Sequence, residues 1–259
     1  MSGKTFLFYL DCLISLFAWK ILKKTGQKIT TYTLPENQQF TVRKYSMDCV
    51  VLYENLIEKV YDMYIPMLNK GDFVVDVGAH IGSFSIHLAQ KFPNVRIIGL
   101  EPMSENFSLL KKNIELNHVE KSIRILPIGM TKKSEKRILY KDSGNSAGHT
   151  LYSATKSLKY TIQCTTLQNL FLLNRISICK LLKLDCEGAE YEILMNCPRL
   201  VLSKIENIIA ELHDQNQTPA LLKKLEANGF HCQIVRGLQN PLLRKIFNVP
   251  LLVAARLKN

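Results

Sequence analysis

The sequence predicts an α/β fold whose mainly parallel sheet is covered on both faces, with a helical and β N-terminal extension before it. Three observations carry this. From Lys70 onward, short continuous apolar strands alternate with helical stretches, the pattern of strands buried on both sides. Glycines and acids cluster just after those strands, at 78–82, 101 and 185–190. The chain is 47% hydrophobic with a mean hydropathy near zero, enough for a full core and too apolar for disorder.

Taken in order, residues 30–53 alternate loosely and predict a small β extension. Glu54 to Leu68 reads as a helix, with Ile57, Val60, Tyr61 and Tyr64 at helical spacing. Phe73–Val77 is the first strand of the main domain, followed by helix Ser83–Phe92. Strand Val95–Leu100, helix Ser104–Asn117 and strand Ile123–Ile128 come next. A basic excursion then carries a hairpin at 136–140 and 160–165. Strand Leu181–Leu184, helix Ala189–Met195, strand Ile205–Leu212 and helix Pro219–Asn228 follow, and strands Phe230–Val235 and Leu251–Arg256 close the pattern. The expected division is residues 1–29 as an apolar N-terminal helix, 30–69 as a small β/helix extension and 70–259 as the main domain.

Thr5 to Leu22 is almost wholly apolar, with Asp11 inside it and Lys20, Lys23, Lys24 and Lys28 behind it. It is short for a bilayer span, and a carboxylate near its middle is costly there. It lacks the small-residue cleavage site of a signal peptide. Two readings stay open: an interfacial helix with Trp19 and the lysines at an anionic membrane surface, or a helix packed on the domain or in an oligomer. The seven cysteines are odd in number and form no CxxC pair, which suits reduced thiols in a cytoplasmic protein.

The net charge is +12, and the excess is uneven. Residues 111–160 carry 11 basic and 4 acidic side chains, whereas 71–110 carry 2 and 4, and 161–222 carry 5 and 7. The basic surplus therefore lies outside the stretches that hold the chemistry. It suits an anionic partner or an ordinary basic surface.

In such sheets ligands bind outside the carboxyl ends of the strands. After the first strand comes DVGAHIGS (76–83), with Gly78 and Gly82 letting backbone N–H groups approach a ligand. The spacing is not the G-x-G-x-x-G of dinucleotide binding. The next strand ends at Glu101-Pro102, and a carboxylate there can accept both hydroxyls of a ribose. Together these point away from NAD and toward S-adenosylmethionine, with Asp76, Gly78, His80, Gly82, Glu101, Pro102 and Gly129 around it.

A second cluster, KLDCEGAE (183–190), places Lys183, Asp185, Glu187 and Glu190 at a strand end and helix start. Carboxylates so close repel unless a proton or cation joins them; N-terminal capping accounts for Glu190 alone. His213, after strand 205–212, is a candidate general base. Asp185, Glu211 and His213 would also make an oxygen-rich divalent metal site, although the chemistry does not require a metal. His87 and His118 read as structural, and His149 as a candidate for acceptor binding.

These residues resemble the FkbM-type branch of the class I S-adenosylmethionine-dependent methyltransferases. The carriers are FVVDVGAHIGSFS (73–85), LEP (100–102) and LLKLDCEGAEYEIL (181–194), with AELH (210–213) in support; the resemblance covers roughly residues 45–235. It implies a Rossmann-like seven-stranded sheet of order 3-2-1-4-5-7-6 with the last strand antiparallel, and O-methylation, often of a sugar or polyketide hydroxyl. It also implies that Asp76, Gly78, Gly82 and Glu101 place the donor and that Lys183, Asp185, Glu187 and Glu190 lie near the acceptor. Two departures stand out: no acid or amide at Ile128-Gly129-Met130 for adenine, and Gln168 where relatives tend to carry Asp. The expected acceptor is a small molecule, sugar, glycan or lipid-linked glycan. Methylation of a nucleic-acid or protein nitrogen is the first rival, against which no (D/N)PP(Y/W) motif occurs; a silent cofactor-binding scaffold is the second.

Overall fold

The computed structural model describes residues 3–17, 28–141, 149–152, 158–236 and 249–257. Trp19, Lys20, Lys23, Lys24 and most of the polar loop 141–157 lie outside the described residues.

The chain opens with helix α1 (Gly3–Phe17), the hairpin β1 (Ile29–Thr33) and β2 (Gln39–Arg43), and helix α2 (Met47–Leu52). Strands β3 (Phe73–Val77), β4 (Arg96–Leu100) and β5 (Ile123–Leu126) alternate with α3 (Ser83–Lys91) and α4 (Ser104–Leu116). A short β6 (Gly129–Met130), β7 (Lys136–Lys141) and β8 (Leu158–Thr165) form a side sheet. Helix α5 (Leu167–Leu173), strand β9 (Cys179–Leu184), helices α6 (Ala189–Met195) and α7 (Arg199–Leu202), strand β10 (Asn207–Glu211), helix α8 (Thr218–Ala227) and strands β11 (Phe230–Arg236) and β12 (Pro250–Arg256) complete it.

The main sheet has seven strands in the order β5-β4-β3-β9-β10-β12-β11. β12 runs antiparallel to both neighbours, whereas the β5 to β10 pairs are parallel. This is the 3-2-1-4-5-7-6 order expected from the sequence. Side chains alternate across the sheet. Val74, Ile97, Leu181 and Ile209 pack with α3, α4 and the N-terminal extension, while Val75, Ile98, Leu182 and Ile208 pack with α5, α6 and α8.

The helix expected over Glu54–Leu68 is not continuous. Helical structure starts earlier, at Met47, where Ser46 caps it by accepting from the Asp48 N–H at 3.2 Å. A wider turn follows at Tyr53–Ile57, Lys59 takes a left-handed φ of 51°, and one short turn remains at Asp62–Tyr64. The break lets the Tyr61 ring pack edge-on against Phe84, at 5.5 Å between centroids, while its hydroxyl reaches β10.

Helix α1 packs on the domain. Phe8, Asp11, Cys12 and Ser15 are buried, and Leu10, Leu13 and Ile14 stay exposed on the other side. Asp11, costly in a bilayer, here accepts a hydrogen bond from the Tyr32 hydroxyl and pairs with Lys44 at 3.3 Å. Among the described residues no helix is long and apolar enough to cross a membrane.

Candidate active site

A cavity of about 280 Å³ lies over the carboxyl ends of β3, β4, β9 and β10, where ligands bind in open α/β sheets. One side, toward β4, presents His80, Glu101, Pro102 and His149; the other, toward β10, presents Asp185, Glu187, Glu211 and His213.

On the first side, Glu101 is nearly fully buried. Its Oε2 accepts from the His80 N–H at 2.9 Å, and its Oε1 accepts from the Met103 N–H at 2.9 Å and Asn106 Nδ2 at 3.3 Å. Burial raises its carboxyl pKa against these donors and the nearby His80. A carboxylate offers about four acceptor positions, so three bonds fix the group and leave capacity facing the cavity. The His80 ring stands 3.3 Å from the Asp48 carboxylate, which Arg43 also holds at 2.8 Å.

The glycine loop departs from expectation. The N–H groups of Gly78 and Ala79 donate to the Leu100 carbonyl at 3.0 and 2.9 Å, and that of Gly82 to Ala79 at 2.8 Å. These donors tie the loop to β4 rather than facing a ligand. Gly78 has a φ of +82°, and a Cβ there would sit 1.8 Å from the Asp185 carbonyl oxygen, so its glycine serves the close passage of two loops. Gly82 leaves room for Leu110 and Ile86, and Gly129 for Ile162 and Cys164. Gly78, Gly129 and Pro102 line the cavity; Gly82 does not.

Asp76 and Lys183 also lie elsewhere than expected. They are register neighbours on adjacent strands, both buried. Asp76 Oδ2 accepts from Ser85 Oγ at 2.7 Å, and its Oδ1 lies 3.2 Å from Lys183 Nζ. Lys183 also donates to the Gly78 carbonyl at 3.2 Å and reaches Asp185 at 3.4 Å. Burial alone would lower the ammonium's pKa, but Asp76, Asp185 and Glu211 hold it above its ordinary range. This buried pair supports the site from beneath and does not line the cavity.

On the second side, Glu190 is fully buried and accepts from the Cys186 N–H at 2.8 Å and the Gly188 N–H at 2.9 Å, closing the turn before α6. Its Oε1 also lies 3.0 Å from His213 Nδ1, which turns Nε2 toward Glu187 at 3.6 Å and Glu211 at 3.8 Å. Burial would lower the imidazole pKa, but Glu190, Glu187 and Glu211 push it up to about 10. Burial raises Glu187 to about 8 and Glu211 to about 7, with Asp185 adding to both and His213 opposing. At neutral pH the groups poised to gain or lose a proton are therefore Glu211 and Glu187 rather than His213.

Two of the ionisable lining residues, Glu54 and Tyr61, were not expected from the sequence. The Tyr61 hydroxyl donates to Glu211 at 2.5 Å, and Glu54 is pushed well up by burial, then by Glu211 and Asp185. Neither belongs to a motif. Conversely, Gln168 is exposed in the first turn of α5 and not in the cavity. His87 is buried between Gln38 and Asp62, and His118 is exposed.

The sheet order is that of the class I methyltransferase fold. The sequence profile of the methyltransferase FkbM domain matches residues 76–232, more than half of the chain. The protein belongs to the FkbM family of methyltransferases and uses S-adenosylmethionine as donor. It is similar to methyltransferase 1 of Beauveria bassiana (strain ARSEF 2860), with 26% identity over 204 residues covering 71% of this chain and 81% of that protein. It is similar also to methyltransferase sdnD of Sordaria araneosa, 25% identical over 211 residues, covering 68% and 80%. Among solved structures, the METTL16 MTase domain superposes with a TM-score of 0.51 at 13% identity, covering 80% of this chain and 68% of that one, a likeness of fold alone. The cavity fits the donor: Glu101 keeps acceptor capacity for the ribose, and the carboxylates across from it suit a positive sulfonium.

Proposed function

We propose that the enzyme methylates a hydroxyl oxygen of a small polyhydroxylated acceptor, such as a sugar, glycan or lipid-linked glycan. The observation that carries this is Glu211, a carboxyl that lines the same cavity as Glu101, is held by the Tyr61 hydroxyl, and is pushed above its ordinary range by burial and Asp185. S-adenosylmethionine supplies an electrophilic methyl group. An alcohol attacking it must lose its proton, and a base working near its own pKa is the efficient acceptor of that proton. Glu211 takes it, Tyr61 holds the carboxylate by its hydroxyl, and the His213 imidazolium compensates the neighbouring negative charge. Glu190 and Lys183 act as positioning residues, the first through His213 and the second through Asp185.

A second route has its own observation. Asp185, Glu211 and His213 offer ligand atoms all within 4.8 Å of one another. A divalent cation held there would stabilise the alkoxide directly.

The test is transfer of labelled methyl to a panel of glycosides and alcohols, with RNA and peptides beside them and with and without a chelator. Glu211→Gln is expected to lower turnover by about 10²-fold or more, and the wild-type rate to rise through about pH 7. Label appearing in RNA or peptide, with none in the hydroxyl panel, would replace the oxygen reading by the nitrogen one. Activity lost on chelation and restored by a divalent ion would favour the metal route.

A further inference from the structure

We propose that His149 binds the nucleoside end of S-adenosylmethionine, supplying from the rim of the cavity the polar contact that the end of β5 lacks. The assignment rests on the donor site described above. In the segment after β5, Ile128, Gly129 and Met130 line the cavity without an acid or amide. His149 lines the same cavity and is 9% exposed, and neither of its ring nitrogens has a hydrogen-bond partner among the described residues. A buried imidazole left so costs free energy unless something in the cavity completes it.

The position is built. Thr150 exchanges backbone hydrogen bonds with Tyr140 at 2.8 and 3.2 Å, and its hydroxyl donates to the Glu187 carbonyl at 2.9 Å. Tyr152 donates to Glu192 at 3.0 Å. Residues 149–152 thus strap the cavity from the side sheet to the acidic turn, with His149 at the strap's Glu101 end. The charges it feels are those of that end: His80, Lys141, Arg43 and Glu105. Burial first, then the cations, push the imidazole down to about 3. It therefore stays neutral, with one ring N–H donor and one bare nitrogen acceptor, the complement of an adenine edge or a ribose hydroxyl.

The experiment is calorimetric titration of the full chain with S-adenosylhomocysteine and with adenosine, for wild type, His149→Ala, His149→Phe and Glu101→Ala. His149→Phe keeps the packing volume and removes both polar atoms. Both His149 variants are expected to weaken both ligands about tenfold, as for one or two neutral hydrogen bonds, and to leave the ligand-free melting temperature unchanged or higher. Unchanged affinities in both, with Glu101→Ala defective, would overturn the His149 assignment alone. A fall in ligand-free melting temperature with unchanged affinity would make His149 structural. No binding of either ligand by the wild type would overturn the donor site and this assignment together.

Discussion

Gly78→Ala separates two costs that glycine substitutions usually mix. At Gly78 the backbone has a φ of +82°, and a Cβ would stand 1.8 Å from the Asp185 carbonyl oxygen and 2.8 Å from its carbon. At Gly71 the φ is +87° and no atom lies within 4 Å. Gly71→Ala therefore carries only the left-handed strain of an L-residue, about 1–2 kcal/mol. Gly78→Ala carries the same strain and must also push the β3 and β9 loops apart. That movement strains the Lys183 bond to the Gly78 carbonyl at 3.2 Å and the Asp185 N–H bond to Val77 at 3.0 Å, each worth about 1 kcal/mol. The total is about 3–4 kcal/mol. For a domain of this size each kcal/mol moves the melting temperature by about 2–4 °C, so Gly78→Ala should melt on the order of 10 °C below wild type and Gly71→Ala only a few degrees below. Scanning calorimetry of the three proteins decides. If Gly78→Ala melts with Gly71→Ala, the two loops have room that the geometry denies, and the packing role of Gly78 is wrong.

Three further outcomes follow from the same geometry. Lys183→Met leaves Asp76 buried without its cation and should cost about 3–5 kcal/mol in urea unfolding; adding Asp76→Asn should recover much of it. Glu187, Glu211 and His213 all titrate above their ordinary values, so the folded state holds extra protons and stability is lost as pH rises through those values. The melting temperature should fall between pH 7 and 10, and Glu187→Gln should fall less over pH 7 to 8. The exposed Leu10, Leu13 and Ile14 face of α1 should carry the full chain down with anionic phosphatidylserine vesicles, and Leu13→Glu should leave it in the supernatant; equal sedimentation of both proteins would count against a membrane role for that face.

The sheet was legible because its strands are buried on both sides and bounded by turn residues, and the family signature adds their order. The acidic cluster was legible because its acids lie within one turn of chain. What could not be read is which way each side chain points. Asp76 and Glu101 both sit near strand ends, but alternation sends Asp76 to the α3 face with Val74, where Ser85 and Lys183 take it. Glu101 follows its strand and turns over the sheet edge. The Asp76–Lys183 pair joins strands about a hundred residues apart that only the sheet order makes neighbours. Glu54 reaches the cavity from the wider turn at Tyr53–Ile57 and Tyr61 from beyond the break at Lys59, and nothing in the apolar spacing announces a left-handed lysine.

The acceptor side of the cavity holds more carboxyl groups than the neighbouring cations can neutralise, and it manages this by keeping protons. That makes the donor's charge measurable. A sulfonium approaching Glu187 and Glu211 favours their ionised forms, whereas the neutral sulfur of S-adenosylhomocysteine does not. Burial and Asp185 hold the Glu211 carboxyl above its ordinary range, so it keeps a proton to give up near neutral pH. An opposite charge nearby lowers a carboxyl by about 1 unit or more, so Glu211 would give up part of its proton as the sulfonium binds. Calorimetry of both ligands in buffers of different ionisation enthalpy reads this directly. S-adenosylmethionine should release more protons than S-adenosylhomocysteine, and Glu211→Gln should shrink the difference. Equal proton counts for the two ligands would mean that the sulfur lies too far from these carboxyls for them to feel its charge, and Glu211 would lose its claim to the acceptor's proton.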